Sequence, residues 1–198
     1  MKVKKLFWAA LTVMCAMTMT MTFTACGGDD DNSDTPSKSE IKGISGRYLI
    51  SVNEKMAELC DYTMTYYGAN NKLTSEQATW TVKDGTATWT KDVNSTQLPA
   101  TFGVKINIKI KEGAQLEGVK ISNIHPITKL LYAEGITSNG QKAWDKTIDL
   151  GGGASSHTGS TGEKLPSYIE LWEERGGMLN YSYTLDKDGN LLDSKKIE

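Results

Sequence analysis

Thr101-Phe102-Gly103-Val104-Lys105-Ile106-Asn107-Ile108-Lys109-Ile110-Lys111 is the most regular stretch of this chain. Val104, Ile106, Ile108 and Ile110 fall on one side of an extended backbone. Lys105, Asn107, Lys109 and Lys111 fall on the other. A period of two is the mark of a strand with one dry and one wet face, as in an antiparallel sheet. The lysine row reads as a solvated face, or an edge guarded against pairing, before it reads as an anion site.

The same period recurs on both sides of this stretch. Tyr48, Ile50 and Val52 alternate with Leu49, Ser51 and Asn53. Cys60, Tyr62, Met64 and Tyr66 alternate with Asp61, Thr63 and Thr65. Met56 to Leu59 between them reads as a turn of helix or a connection. Residues 78–91 form a hairpin around Asp84-Gly85, because both residues tolerate the positive φ of a type I′ turn. That turn sets Lys83 against Thr86 and Val82 against Ala87. It also puts Trp80 against Trp89, at a position where side chains come closest. Residues 119–124, 129–134 and 144–150 read as further strands, broken at His125-Pro126. From Met178, Leu179, Tyr181, Tyr183 and Leu185 alternate with Asn180, Ser182 and Thr184, and Asp186 to Asn190 is a turn.

Many short strands and no long helical period predict an all-β fold, an antiparallel β-sandwich of Ig-like type. A calycin-like up-and-down barrel is the alternative. Residues 167–175 read two ways. Ser167 and Glu170 have capping-box spacing. A hairpin turning at Gly176-Gly177 is favoured, and it puts Tyr168, Glu170, Trp172 and Glu174 on one face. Gly151 to Lys164 is glycine-rich and reads as a long loop without the Gly-Lys-Ser/Thr ending of a phosphate loop.

The N-terminus has a different character. Lys2, Lys4 and Lys5 precede an uncharged run from Leu6 to Ala25, the pattern of a secretory signal. The run ends in Thr22-Phe23-Thr24-Ala25-Cys26, followed by Gly27-Gly28-Asp29-Asp30-Asp31. This segment resembles a bacterial lipoprotein signal, whose cysteine is acylated and becomes the mature N-terminus. The acidic run resembles the surface-export signal of Bacteroidetes lipoproteins. The resemblance implies cleavage after residue 25, a lipid on Cys26 and an outer-membrane, surface-exposed location. Two or more acyl chains give stable anchoring, at ~0.8 kcal/mol per buried methylene. Residues 26–43 then read as a lipidated cysteine and a flexible acidic tether. The β domain spans 44–198. Its stretch from Asp61 through Leu98-Pro99-Ala100-Thr101-Phe102-Gly103-Val104 is similar to small Bacteroidetes lipoproteins, a similarity that implies no activity.

Charge and cysteine content narrow the function. Of 22 basic and 24 acidic residues, three basic ones lie in the signal. The mature chain therefore has 19 against 24, a net charge of −5. No basic patch calls for nucleic acid. Cys60 stands alone once Cys15 is removed and Cys26 acylated, so no intrachain disulfide is expected. His125 and His157 have no cysteine partners, and no metal or other cofactor is expected. Asp186, Asp188 and Asn190 begin a calcium-loop spacing, but Leu191 occupies its glycine position and Ile197 its glutamate position. Glu170, Glu173 and Glu174 read as solvated side chains, not a catalytic pair, and no enzyme is expected. Aromatic residues are the stronger lead, because Trp and Tyr faces stack on sugar rings. Tyr168, Glu170, Trp172 and Glu174 are therefore the candidate ligand face. The expectation is a surface-anchored binding or adhesion module with a glycan ligand. A structural subunit of an outer-membrane protein assembly and a barrel for a small apolar ligand are the alternatives.

Overall fold

The structure is a computed structural model and describes residues 40–151 and 158–198. Cys26, its signal, most of the tether and residues 152–157 lie outside the described residues. Ala100–Ile110 forms the strand that its alternation predicts and stands at the centre of one of two five-stranded antiparallel sheets. The other sheet is centred on Ile41–Asn53. In chain order the strands are β1 (Ile41–Asn53), β2 (Cys60–Tyr67), β3 (Leu73–Gln77), β4 (Thr81–Lys83), β5 (Thr86–Ser95), β6 (Ala100–Ile110), β7 (Lys120–Ile121), β8 (Thr128–Thr137), β9 (Lys142–Asp149), β10 (Ser160–Thr161), β11 (Leu179–Leu185) and β12 (Leu191–Lys195). The helices are α1 (Glu54–Leu59) and α2 (Leu165–Glu174).

The first sheet runs β4-β5-β1-β8-β9 and the second β12-β11-β6-β2-β3. β7 and β10 pair separately. The arrangement is sandwich-like, and the two sheets do not close into a barrel. α1 carries the chain from one sheet to the other. The Asn53 side chain caps it, accepting from the Lys55 N–H, and Met56, Ala57 and Leu59 are buried beneath it.

Period two becomes burial. Tyr48, Ile50 and Val52 are fully buried on β1, as are Phe102, Val104 and Ile106 on β6. Tyr48 ties the layers together. Its hydroxyl donates to the Tyr67 carbonyl at 2.8 Å and accepts from the Gly103 N–H at 2.9 Å. Gly103 lies one residue beyond the β2–β6 ladder, which ends at Tyr66–Val104, so Tyr48 satisfies a buried amide. A side chain at Gly103 would also meet the Ser182 backbone at 2.5 Å.

Each open flank is latched. On one, the Glu76 carboxylate of β3 accepts from Tyr66, from the Trp89 indole at 3.2 Å and from Lys91 at 2.6 Å. On the other, the Trp144 indole of β9 donates to the Lys187 carbonyl and Lys146 to that of Gly189, both at 2.8 Å. Asp186 holds that turn by accepting from the Asp188 and Asn190 N–H groups, which explains the calcium-like spacing by turn chemistry.

β1 begins at Ile41, seven residues before the alternation that starts at Tyr48, with a bulge between Ile41 and Gly43. Three readings are corrected. Trp80 does not pair with Trp89 in the ladder, which ends at Thr81–Thr88. The Asp84-Gly85 turn does form, with φ of 50° and 75° and the predicted Lys83–Thr86 and Val82–Ala87 register. The end of the Gly151–Lys164 loop is structured, since Ser160–Thr161 pairs with Lys120–Ile121 and a 3-10 turn follows. Finally, residues 165–174 are a helix and not half of a hairpin.

Candidate functional site

α2 decides the fate of the aromatic face read from the sequence. Leu165, Ile169 and Trp172 recur at helical spacing and are buried. Pro166 sits in the first turn, where its missing N–H costs nothing. Gly176 and Gly177, with φ of 88° and 130°, stop the helix, and the Gly177 N–H returns to the Trp172 carbonyl at 2.8 Å. These glycines cap a helix where the sequence reading had them turn a hairpin.

The helix separates the four candidate residues. Tyr168 and Trp172 lie four apart on one side, and Glu170 and Glu174 lie four apart on nearly the opposite side. Trp172 is 5% exposed. It stacks on Tyr168 at 6.1 Å and meets His125 edge-on at 5.7 Å. Glu170 and Glu174 are exposed. The mixed aromatic and acidic face does not form.

A different aromatic stands at a cleft. The β2–β3 ladder ends at Thr63–Gln77, and a last main-chain bond runs from Ala78 to the Tyr62 carbonyl at 2.8 Å. Ala78 to Trp80 then cross toward the other sheet. The half-buried Trp80 ring meets Tyr62 edge-on at 5.0 Å. Beside it lies a cleft of about 490 Å³. Register explains its polar lining. Asp61 lies opposite Lys109, and Thr63 lies opposite both Asn107 and Gln77. These are the wet alternates of three adjacent strands, so they share one face. Gln77 donates to the Thr63 hydroxyl at 2.9 Å, which holds the amide in place. The cleft thus offers an indole, two amides, a hydroxyl, the carboxylates of Asp61 and Glu173 and the ammonium groups of Lys109 and Lys111.

Two groups below this surface are chemically quiet. Burial pushes the Cys60 thiol up to about 12, so it carries no thiolate at neutral pH. The Tyr62 hydroxyl is buried without a partner among the described residues, and burial raises its pKa well above the phenol range. Among the described residues no three His, Cys, Asp or Glu side chains cluster closely enough to hold a metal ion.

The sequence reading used Trp80 for a cross-strand pair and missed this cleft. A signal was present. The polar alternates Asp61 and Thr63 on β2 and Asn107 and Lys109 on β6 were both visible, but not the register that joins them. Comparison with protein-family models, curated proteins and solved structures gives no match.

Proposed function

We propose that this protein is a lipid-anchored binding module of the outer membrane, held at the cell surface through Cys26, which presents the Trp80 cleft to a glycan. One observation carries this reading. An indole at the rim of an open cleft is flanked by Asp61, Thr63, Gln77, Asn107 and Lys109. A sugar ring offers an apolar face to an indole and hydroxyls to amides and charged groups, so the lining matches the ligand class. The lipobox and the acidic run after it support the anchor. The Ig-like subclass belongs to this proposal at the level of two facing antiparallel sheets. Its connectivity departs from the immunoglobulin pattern: β1 is central in its sheet and pairs with β5 and β8, where an immunoglobulin's first strand is at an edge beside the second.

The test is titration of the mature protein with a panel of glycans, following tryptophan fluorescence. A saturable change that Trp80→Ala abolishes while the fold survives supports the module. A flat response across the panel overturns it. Trp172→Ala is not a test of it, since that ring is buried.

A structural subunit of an outer-membrane assembly is the second reading. It is favoured by edge strand β12, where Leu191 and Leu192 are 52% and 56% exposed. Photo-crosslinking from position 192 on intact cells tests it, and a product of one discrete partner size is the expected result. The apolar-ligand barrel has lost its premise, because the sheets do not close.

A further inference from the structure

One end of the sandwich carries a charged side chain turned inward. There β8 turns Lys129 inward, on the side of Leu131 and Ala133, and its side chain is only 13% exposed. The ammonium lies against the backbone of Gly151. It stands 3.7 Å from the Asp149 carboxylate, beyond hydrogen-bond range. That carboxylate is 46% exposed and already accepts from the Gly151 N–H at 2.8 Å. Among the described residues this largely buried ammonium has one countercharge, and a distant one, which is costly.

Across the gap, β11 turns Tyr181 inward beside Leu179, yet Tyr181 is 38% exposed. The sandwich is open here, and a cavity of about 320 Å³ separates Lys129 from Tyr181. His125, Arg175 and Lys196 also line it, and among the described residues no Asp or Glu does. Among the described residues, Arg175 and Lys196 make no ion pair. Tyr181 stacks on Tyr183 at 6.5 Å, and the Tyr183 hydroxyl donates to the Asp149 carbonyl at 3.0 Å. The Tyr181 ring is therefore a held platform that shares the cavity with Lys129, Arg175 and Lys196.

We propose that this mouth binds an acidic sugar, with its carboxylate or sulfate held by Lys129 and Arg175 and its ring on Tyr181. The site shares no residue with the Trp80 cleft, so either can fail without the other. Burial and the nearby Lys129 charge hold the His125 imidazole below its usual pKa. A bound anion would reverse part of that effect, which makes His125 a reporter.

Glucuronate, glucose 6-sulfate, glucose and acetate are titrated into the mature protein at fixed ionic strength, following the His125 ring resonances by NMR. One or both charged sugars should shift them saturably, and comparison of the two separates carboxylate from sulfate. Glucose and acetate should bind at least about tenfold more weakly. Lys129→Met should abolish the shift. Arg175→Gln, at an exposed position, should weaken binding about fivefold or more without changing the melting temperature. Tyr181→Ala should bring the charged sugars down to the level of acetate. Absence of a shift with both charged sugars overturns the proposal. So does acetate binding as tightly as glucuronate, or Lys129→Met and Arg175→Gln both binding like the parent.

Discussion

Trp172 and Trp80 have similar sequence surroundings and opposite placements. Each is an indole beside polar and acidic residues. Trp172 lies inside, stacked on Tyr168, because α2 wraps its neighbours Glu170 and Glu174 to the far side. Trp80 stands at a rim, because the chain leaves its ladder three residues earlier at Gln77. The polar residues that accompany Trp80 come from β2 and β6 as well as from β3, the strand that leads into it. An aromatic residue therefore becomes a surface platform through what ends near it, and less through what flanks it in sequence.

The largest test of this contrast is stability. Trp172→Ala should cost about 3–5 kcal/mol by urea denaturation, the range for emptying a buried large aromatic. Trp80→Ala, which loses a half-buried ring, should cost about 1–2 kcal/mol. Equal losses would break the comparison.

The end of α2 offers the next. Gly177 has φ of 130°, and an added Cβ would meet the Ile106 carbonyl at 2.9 Å. Gly177→Ala should cost about 1–3 kcal/mol. Gly85 has φ of 75° but open space around it, so Gly85→Ala should cost nearer 1 kcal/mol. A reversed order would show that the helix end is not held as tightly as described.

Trp89 supplies a third indole, read by pH. Burial pushes the Glu76 carboxyl up, but hydrogen bonds from Lys91, Tyr66 and Trp89 outweigh it, and the net shift is downward from 4.5. A carboxyl with a lowered folded pKa adds stability above its unfolded value and loses it as pH falls through the folded one. Stability curves of the parent and of Glu76→Gln should therefore keep a constant separation above about pH 4.5 and converge as pH falls below it. Curves that stay parallel on acidification below that pH would show that the latch carries no charge.

Tyr62→Phe is the smallest expected effect and has the opposite sign. It removes a buried hydroxyl that has no partner among the described residues, beside Trp80. The variant should equal the parent or gain up to about 1 kcal/mol. A loss of 1 kcal/mol or more would mean that the hydroxyl has a partner, such as a bound water.

Strand alternation was legible in β1, β2, β6 and β11 because one face of each is buried. Val104, Ile106 and Ile108 declared the core, and Asp84-Gly85 declared its turn and its register. What lay outside local pattern was not. β3, as Leu73-Thr74-Ser75-Glu76-Gln77, is an edge strand with mostly exposed residues and carries no apolar period. β12 hides for the same reason. α2 carries both a period-two and a helical pattern, and Leu165 at its start decides between them only when counted with Ile169 and Trp172. The Trp80 cleft and the Lys129 mouth join residues far apart in the chain, so each needed the register of a sheet.

The central position of β1 has a kinetic consequence. It emerges early in synthesis, yet its partner β8 begins at Thr128, 75 residues after Asn53. At roughly 5–20 residues per second, that is a delay on the order of 4–15 s. β6 likewise waits for β11. Neither sheet can be completed until late in the chain, so folding is governed by distant pairings and is slow. A chain assembled in this order stays open through most of its own synthesis.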